Sequence, residues 1–247
     1  MISKSRIKFV RSLHQKKYRD ESGLFIAEGA KVVSDLLNSK YIVKEVFSTE
    51  EFVAESLNRA EQVEITRITE NELKQISNQT TPNKVLAVFQ MLSDESQFIP
   101  TVDRLVLALD DIRDPGNLGT IIRIADWFGI DTIVCSLSCV DMYNPKVVQS
   151  AMGSLARVNV CYEDLEAILK NFKYVFAATL DGKNVYSEKL SDSGVILIGN
   201  ESKGISESLF KYVTHKISIP KFSKGADSLN AAIAASVICS EFKRRNY

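Results

Sequence analysis

Val195-Ile196-Leu197-Ile198-Gly199-Asn200-Glu201-Ser202-Lys203-Gly204-Ile205-Ser206 is the stretch that decides the fold. Four aliphatic residues in a row, with no polar alternation, read as a strand covered on both faces, the pattern of a parallel sheet packed between helices. From Gly199 to Gly204 every residue is glycine or polar, so the chain turns out of the sheet at the strand's carboxyl end. Working outward, further apolar strand candidates stand at Leu105–Leu109, Thr132–Ser136, Tyr174–Ala178 and Ile217–Ile219. Helix candidates alternate with them at Thr120–Phe128, Pro145–Leu155, Leu165–Asn171, Glu207–Tyr212 and Leu229–Arg245. The expected class is α/β with a mostly parallel sheet, in which ligands sit beyond the carboxyl ends of the strands.

The first hundred residues form a smaller α/β pattern. A basic helix is expected over Ser5–His14 and strands at Leu24–Ala27, Val43–Phe47 and Val85–Met91, with an extended piece at Ile65–Ile68. Helical stretches are expected around Val32–Leu37, Glu51–Asn58 and Glu70–Ser77. The polar run Ser93-Asp94-Glu95-Ser96-Gln97 before Pro100 marks a linker. This gives domains over 1–92 and 103–247 joined by 93–102.

Composition excludes little. The 247 residues are 45% hydrophobic and carry 31 basic and 31 acidic side chains, so net charge names no partner. The local asymmetry is informative. Lys4, Arg6, Lys8, Arg11, Lys16, Lys17 and Arg19 are seven cations with no acid among them; they are either a phosphate-binding footprint or a solvated helix face. The N-terminus has no apolar run of signal-peptide type, and Ala231–Cys239 is too short to span a bilayer. Cys135, Cys139, Cys161 and Cys239 lack metal-ligand spacing. They read as buried thiols of a reducing, cytoplasmic compartment, with neither metal nor membrane expected.

Three loops stand at strand ends. Asp110–Gly119 leads into a helix that Asn117 could cap, and Arg123 near that helix's start opposes the macrodipole, so it is either a salt-bridged surface arginine or calls for an anionic partner. Gly199–Ser206 has Ile205 where a P-loop needs lysine; it is either a plain strand–turn–helix corner or a loop whose glycines let a ligand approach the backbone. Ile219-Pro220 through Ser228-Leu229-Asn230 precedes an alanine-rich helix that Ser228 could cap.

Taken in order, these loops resemble the SpoU (TrmH-type) group of SPOUT RNA methyltransferases. Asn117, Gly119 and Arg123 match an N-x-G-x-x-x-R pattern; Gly199, Asn200, Glu201, Gly204 and Ile205 match G-N-E-x-x-G-[IL]; Ile219, Pro220, Ser228, Leu229 and Asn230 match I-P followed by S-L-N. The Pro220–Ser228 segment is one residue longer than that pattern, and Ala231-Ala232 replaces its valine-type start. Lys16–Arg19 and Phe25–Lys31 are similar to the opening of a substrate-binding domain with an L30e-like fold.

The resemblance implies a trefoil knot, a homodimer with its site near the subunit interface, and S-adenosylmethionine as cofactor, held by Gly199, Ile219, Ser228 and Leu229. It further implies transfer to a ribose 2′-hydroxyl of RNA, with Arg123, Asn117, Glu201 and Asn230 as the catalytic set. A guanidinium is a poor general base, so stabilising the developing alkoxide or an adjacent phosphate weighs equally with activating the hydroxyl. The extra domain favours ribosomal RNA as substrate. Transfer RNA, or a non-catalytic RNA-binding role in ribosome assembly, are the alternatives.

Overall fold

The computed structural model describes residues 2–49, 65–92, 102–225 and 227–244. The helix expected over 51–58 and linker residues 93–101 lie outside them. In chain order the elements are α1 (Lys4–Ser12), α2 (Lys16–Ser22), β1 (Leu24–Glu28), α3 (Ala30–Leu37), β2 (Val43–Ser48), β3 (Ile65–Arg67), α4 (Glu70–Ile76) and β4 (Val85–Gln90). There follow β5 (Leu105–Leu109), α5 (Pro115–Trp127), β6 (Thr132–Cys135), α6 (Pro145–Ser150), β7 (Asn159–Tyr162), α7 (Leu165–Leu169), β8 (Val175–Asn184), β9 (Gly194–Ile198), β10 (His215–Ser218) and α8 (Ala231–Arg244). Two compact units result: Met1–Ser96 with Asp141–Ala156, and Gln97–Val140 with Arg157–Tyr247.

In the first unit the strand order is β1-β4-β2-β3. β4 runs antiparallel to both β1 and β2, whereas β2 and β3 are parallel. Val10 and Leu13 from the helical N-terminus pack on Ile26, Phe47, Ile76 and Leu86 to form its core. Local chemistry fixes the helix ends: Ser3 accepts from the Arg6 N–H to cap α1, and Thr69 with Glu72 makes a reciprocal capping box on α4.

The seven N-terminal cations do not act together. Arg6 donates to Glu45 at 2.7 Å, Lys16 pairs with Asp20 at 3.1 Å and Lys17 with Glu21 at 3.9 Å. Arg19 is only 1% exposed. Its Nη2 stands 2.6 Å from an Asp141 carboxylate oxygen and its Nη1 donates to the Leu13 carbonyl at 3.0 Å. The expectation of one outward cluster is corrected because the partner of Arg19 lies in the returning segment Asp141–Ala156, which no local charge count can see. Lys4, Lys8 and Arg11 remain exposed, and their i, i+4, i+7 spacing sets them along one face of α1.

The returning segment packs Tyr143 on Phe25, ring centroids 4.7 Å apart, and Leu92 N–H donates to the Tyr143 hydroxyl at 3.1 Å. The helix expected over Pro145–Leu155 stops at Ser150, because Met152 and Gly153 take positive φ of 51° and 88°.

The second unit is a six-stranded sheet ordered β10-β8-β9-β5-β6-β7, parallel throughout. Leu107, Val134, Val175, Val195 and Leu197 are wholly buried in it, as doubly covered strands require. Three expectations are corrected. β7 is an additional strand, whose residues are half-buried or exposed and carry no strong apolar signal. Glu207–Tyr212 is a 3₁₀ helix. β8 runs on to Asn184 rather than ending at Ala178, and β10 pairs first with Phe176 and Ala177 and then with Lys183 and Asn184, so residues 178–182 leave the ladder between. Among the described residues no helix is long and apolar enough to cross a membrane.

Removing one partner of a buried ion pair leaves the other charge uncompensated, at a cost of about 3–5 kcal/mol. Asp141→Ala in the full chain is therefore expected to lower the urea midpoint strongly. The double variant Arg19→Met/Asp141→Leu should recover most of that loss, and equal midpoints for single and double variants would contradict it.

Candidate active site

The three loops meet at the carboxyl end of the parallel sheet. The first leaves β5 through Asp110, which is buried and accepts from the Ser206 N–H at 2.7 Å, tying it to the second loop. Asn200 adds a further tie by donating to the Asp111 carbonyl at 2.8 Å. Asp111 adopts φ of 56°. Burial works to raise its carboxyl, but Arg113, 2.6 Å away, and Ser138 outweigh that and hold it below the usual carboxylate range. Beneath this turn the Ile112 N–H donates to Cys139 Sγ at 3.2 Å. The neighbouring Cys135 thiol brings Cys139 down to about 7 against the effect of burial.

Asp114 caps α5, accepting from the Asn117 N–H at 2.8 Å, with Pro115 at the first helical position. The expectation that Asn117 caps this helix is thus corrected. Asn117 lies in the first turn, and a proline, already set for helical φ, starts the helix earlier. Arg123 consequently stands more than two turns in, where the macrodipole has faded, so the dipole argument for an anionic partner lapses. Arg123 is exposed, and no ion pair or hydrogen bond engages it among the described residues.

The second loop is a tight hairpin. Asn200 and Gly204 exchange backbone hydrogen bonds at 3.0 and 2.8 Å, and the Asn200 side chain accepts from the N–H groups of Ser202 and Lys203. A Cβ on Gly199 would stand 2.4 Å from the Gly204 carbonyl carbon. The space that glycine frees is filled by the loop's own backbone rather than left open for a ligand. Gly204 has φ of 71° and nothing near its absent Cβ.

In the third loop the cap expectation is also corrected. Asn230, not Ser228, caps α8, its Oδ1 accepting from the N–H groups of Ala232 and Ile233 at 3.0 and 3.3 Å. Asn230 Nδ2 meanwhile donates to Asn117 Oδ1 at 2.8 Å, and Asn117 Nδ2 donates to the Glu201 carboxylate. Three of the four residues singled out as catalytic, one from each loop, thus form a continuous chain of hydrogen bonds; Arg123 does not join it.

A cleft of about 660 Å³ opens beside this chain, lined by Gly199, Glu201, Ile219, Ser228 and Leu229. Its walls also include Ile198, Ile205, Ile217, Ala234 and Ile238. Arg123, Asn117 and Asn230 do not line it. The excursion of β8 supplies a wall that sequence reasoning missed, Thr179, Leu180 and Asp181; the polar Asp181-Gly182 pair after an apolar strand was its only signal. Lys216, 2.9 Å away, and Thr179 hold the Asp181 carboxyl below its ordinary range.

A parallel sheet with a ligand-sized cleft at its carboxyl ends defines an α/β protein that binds a small molecule at its loops. The match to the SpoU rRNA methylase family over residues 104–240 says which; the chain belongs to that family. Residues 4–87 match the MRM3-like substrate binding domain. The chain is 30% identical to the 23S rRNA (guanosine(2553)-2′-O)-methyltransferase RlmP of Bacillus subtilis over 94% of each protein. Its fold superposes on an RNA methyltransferase of the TrmH family from Porphyromonas gingivalis with a TM-score of 0.86 and 35% identity, covering 99% of both chains. For an AdoMet-bound rRNA methyltransferase from Sinorhizobium meliloti the values are 0.88 and 29%, over 100% of this chain and 98% of that one.

Gly199 and Gly204 should respond differently to alanine. Gly199→Ala forces the hairpin apart and is expected to cost about 1–3 kcal/mol or more. Gly204→Ala meets only the left-handed backbone penalty of about 1–2 kcal/mol. Denaturant midpoints check this, and Gly204→Ala being the more damaging would refute the packing account.

Proposed function

We propose that this chain transfers the methyl group of S-adenosylmethionine to a ribose 2′-hydroxyl of ribosomal RNA. The observation that carries the reading is the Asn230–Asn117–Glu201 chain, which locks three loops together at the rim of the cleft. The cleft suits the cofactor. Its aliphatic walls fit an adenosine, and the Asp227 carboxylate fits the cationic methionine portion. No described residue accepts from the main-chain N–H of Ile219 or Leu229, so both remain available to polar edges. Gly199, Ile219, Ser228 and Leu229 would hold the cofactor, which supplies an electrophilic sulfonium methyl. The chain's own task is then orientation and charge. Asn117, Glu201 and Asn230 fix the loops so that little reorganisation is needed when substrate arrives, and Arg123 stabilises the developing alkoxide or a neighbouring phosphate.

The reading includes a homodimer. Arg123 does not line the cleft of its own chain, and it shares the outer face of α5 with Trp127, which is 84% exposed. A second copy covering that face would bury the tryptophan and bring Arg123 to a site. The reading also includes a trefoil knot, which rests on membership of the SpoU family. Four free thiols, three of them buried, support a reducing compartment such as the cytoplasm. No His, Cys, Asp or Glu cluster suited to a metal occurs among the described residues, and the mechanism calls for none.

Arg123→Ala should lower methyl transfer ~100-fold or more while calorimetry, run with chelator present, gives S-adenosylmethionine affinity close to wild type. Near wild-type turnover on unmethylated ribosomal RNA would reassign Arg123 to structure, and no cofactor binding by the wild type would overturn the reading itself. For the first unit, the exposed stripe Lys4, Lys8 and Arg11 is the part of the basic run available to phosphate. Replacing each by alanine should flatten the salt dependence of RNA binding by a slope of about 0.7–0.9 for every phosphate no longer neutralised. Lys16→Ala and Lys17→Ala, already paired, should change it less; the reverse ranking would place the RNA elsewhere.

A further inference from the structure

The mouth of the cleft carries an aromatic ring that the folded chain leaves bare. Phe222, in the loop between β10 and α8, is 93% exposed although it lines the cleft. Leu180, from the β8 excursion, lines the same cleft and is 80% exposed. Exposed apolar side chains are ordinary singly, but two at one rim ask for an occupant. The flanking residues say which. Lys221 and Lys224 are both exposed, and neither has an ion-pair partner among the described residues.

Two unpaired ammonium groups disfavour the cofactor as the ligand of this rim. S-adenosylmethionine carries a sulfonium and an ammonium against one carboxylate, so it arrives with net positive charge. Cover of this rim by a second copy of the chain would have to bury both ammonium groups, which have no counter-ion among the described residues. They favour a polyanion whose bases have exposed π-faces. Stacking of bases on an aromatic ring, with cations on the adjoining phosphates, is the general chemistry by which single-stranded nucleic acid is held.

We propose that Phe222 is the platform on which the base of the nucleotide entering the cleft stacks, with Lys221 and Lys224 on its flanking phosphates. The inference rests on the reading of the chain as an RNA methyltransferase and adds a positioning residue to it. Because every base offers a π-face, Phe222 supplies affinity and placement rather than a choice among bases.

The test uses the full chain and unmethylated ribosomal RNA transcribed in vitro. Phe222→Ala is expected to weaken RNA affinity about 5- to 150-fold, the range for losing one base stack, and to raise KM for RNA more than it lowers kcat. Phe222→Trp should restore affinity to within a few-fold and Phe222→Leu should not, which separates stacking from simple apolar cover. Lys221→Ala and Lys224→Ala should each reduce the salt slope by about 0.7. Affinity for S-adenosylmethionine and the sedimentation coefficient should stay unchanged in all variants. Four results would overturn the proposal: unaltered RNA affinity in Phe222→Ala, full rescue by leucine, a loss of cofactor affinity, or a change of oligomeric state. Failure of the underlying reading looks different, since the wild type itself would then bind no S-adenosylmethionine and transfer no methyl group.

Discussion

The break in register between β10 and β8 is the constraint on which the site depends. Parallel strands that kept step from His215 to Ser218 would seal the sheet edge. Instead, pairing jumps from Ala177 to Lys183, and the intervening residues are pushed out as one wall of the cleft. The jump is possible because Gly182 lets the two backbones approach to a distance no side chain would allow. The walls are apolar because the strands that end there are apolar, and the rim is polar, Phe222 and Leu180 apart, because the loops must turn the chain back. A void of this kind therefore follows from backbone geometry before any particular side chain is chosen.

What holds the rim in one shape is hydrogen bonding rather than burial. Asp110 fastens the Ser206 amide, Asn200 fastens the Asp111 carbonyl, and Asn117 sits between Glu201 and Asn230. Asn117 donates on one side and accepts on the other, which no carboxylate or lysine could do. Asn230 likewise divides its two polar atoms between capping α8 and reaching Asn117. Such shared use couples the start of a helix to the geometry of a loop elsewhere along the sheet, so the site is stiff where a ligand must be placed.

The parallel sheet, the strand ends and the three loops are legible in the sequence, because unbroken aliphatic runs and glycine-polar turns are local signals. Helix starts are less so. Asn117 and Ser228 look like caps, yet Asp114 and Asn230 do that work, since the choice depends on which side chain reaches the free amides once the loop is folded. β7 is invisible because an edge strand of Asn159–Tyr162 buries too little to leave a pattern. The β8 excursion escapes a sequence reading because its cause, pairing with the distant strand His215–Ser218, is non-local. The same holds for Arg19, which any local reading counts as a surface cation.

That last pairing also bears on how the chain is made. The first unit is discontinuous: its Arg19 is buried among residues that leave the ribosome early, while Asp141 follows 122 residues later. Synthesis proceeds at about 5–20 residues per second, so for several seconds or more the nascent N-terminal unit holds a guanidinium whose counter-ion has not yet been polymerised. Burying it then would be costly, so the ring stack of Phe25 on Tyr143 and the closing of the helical layer over Arg19 must wait for β5, α5 and β6 to emerge. The first unit therefore cannot be completed until β5, α5 and β6 have been synthesised.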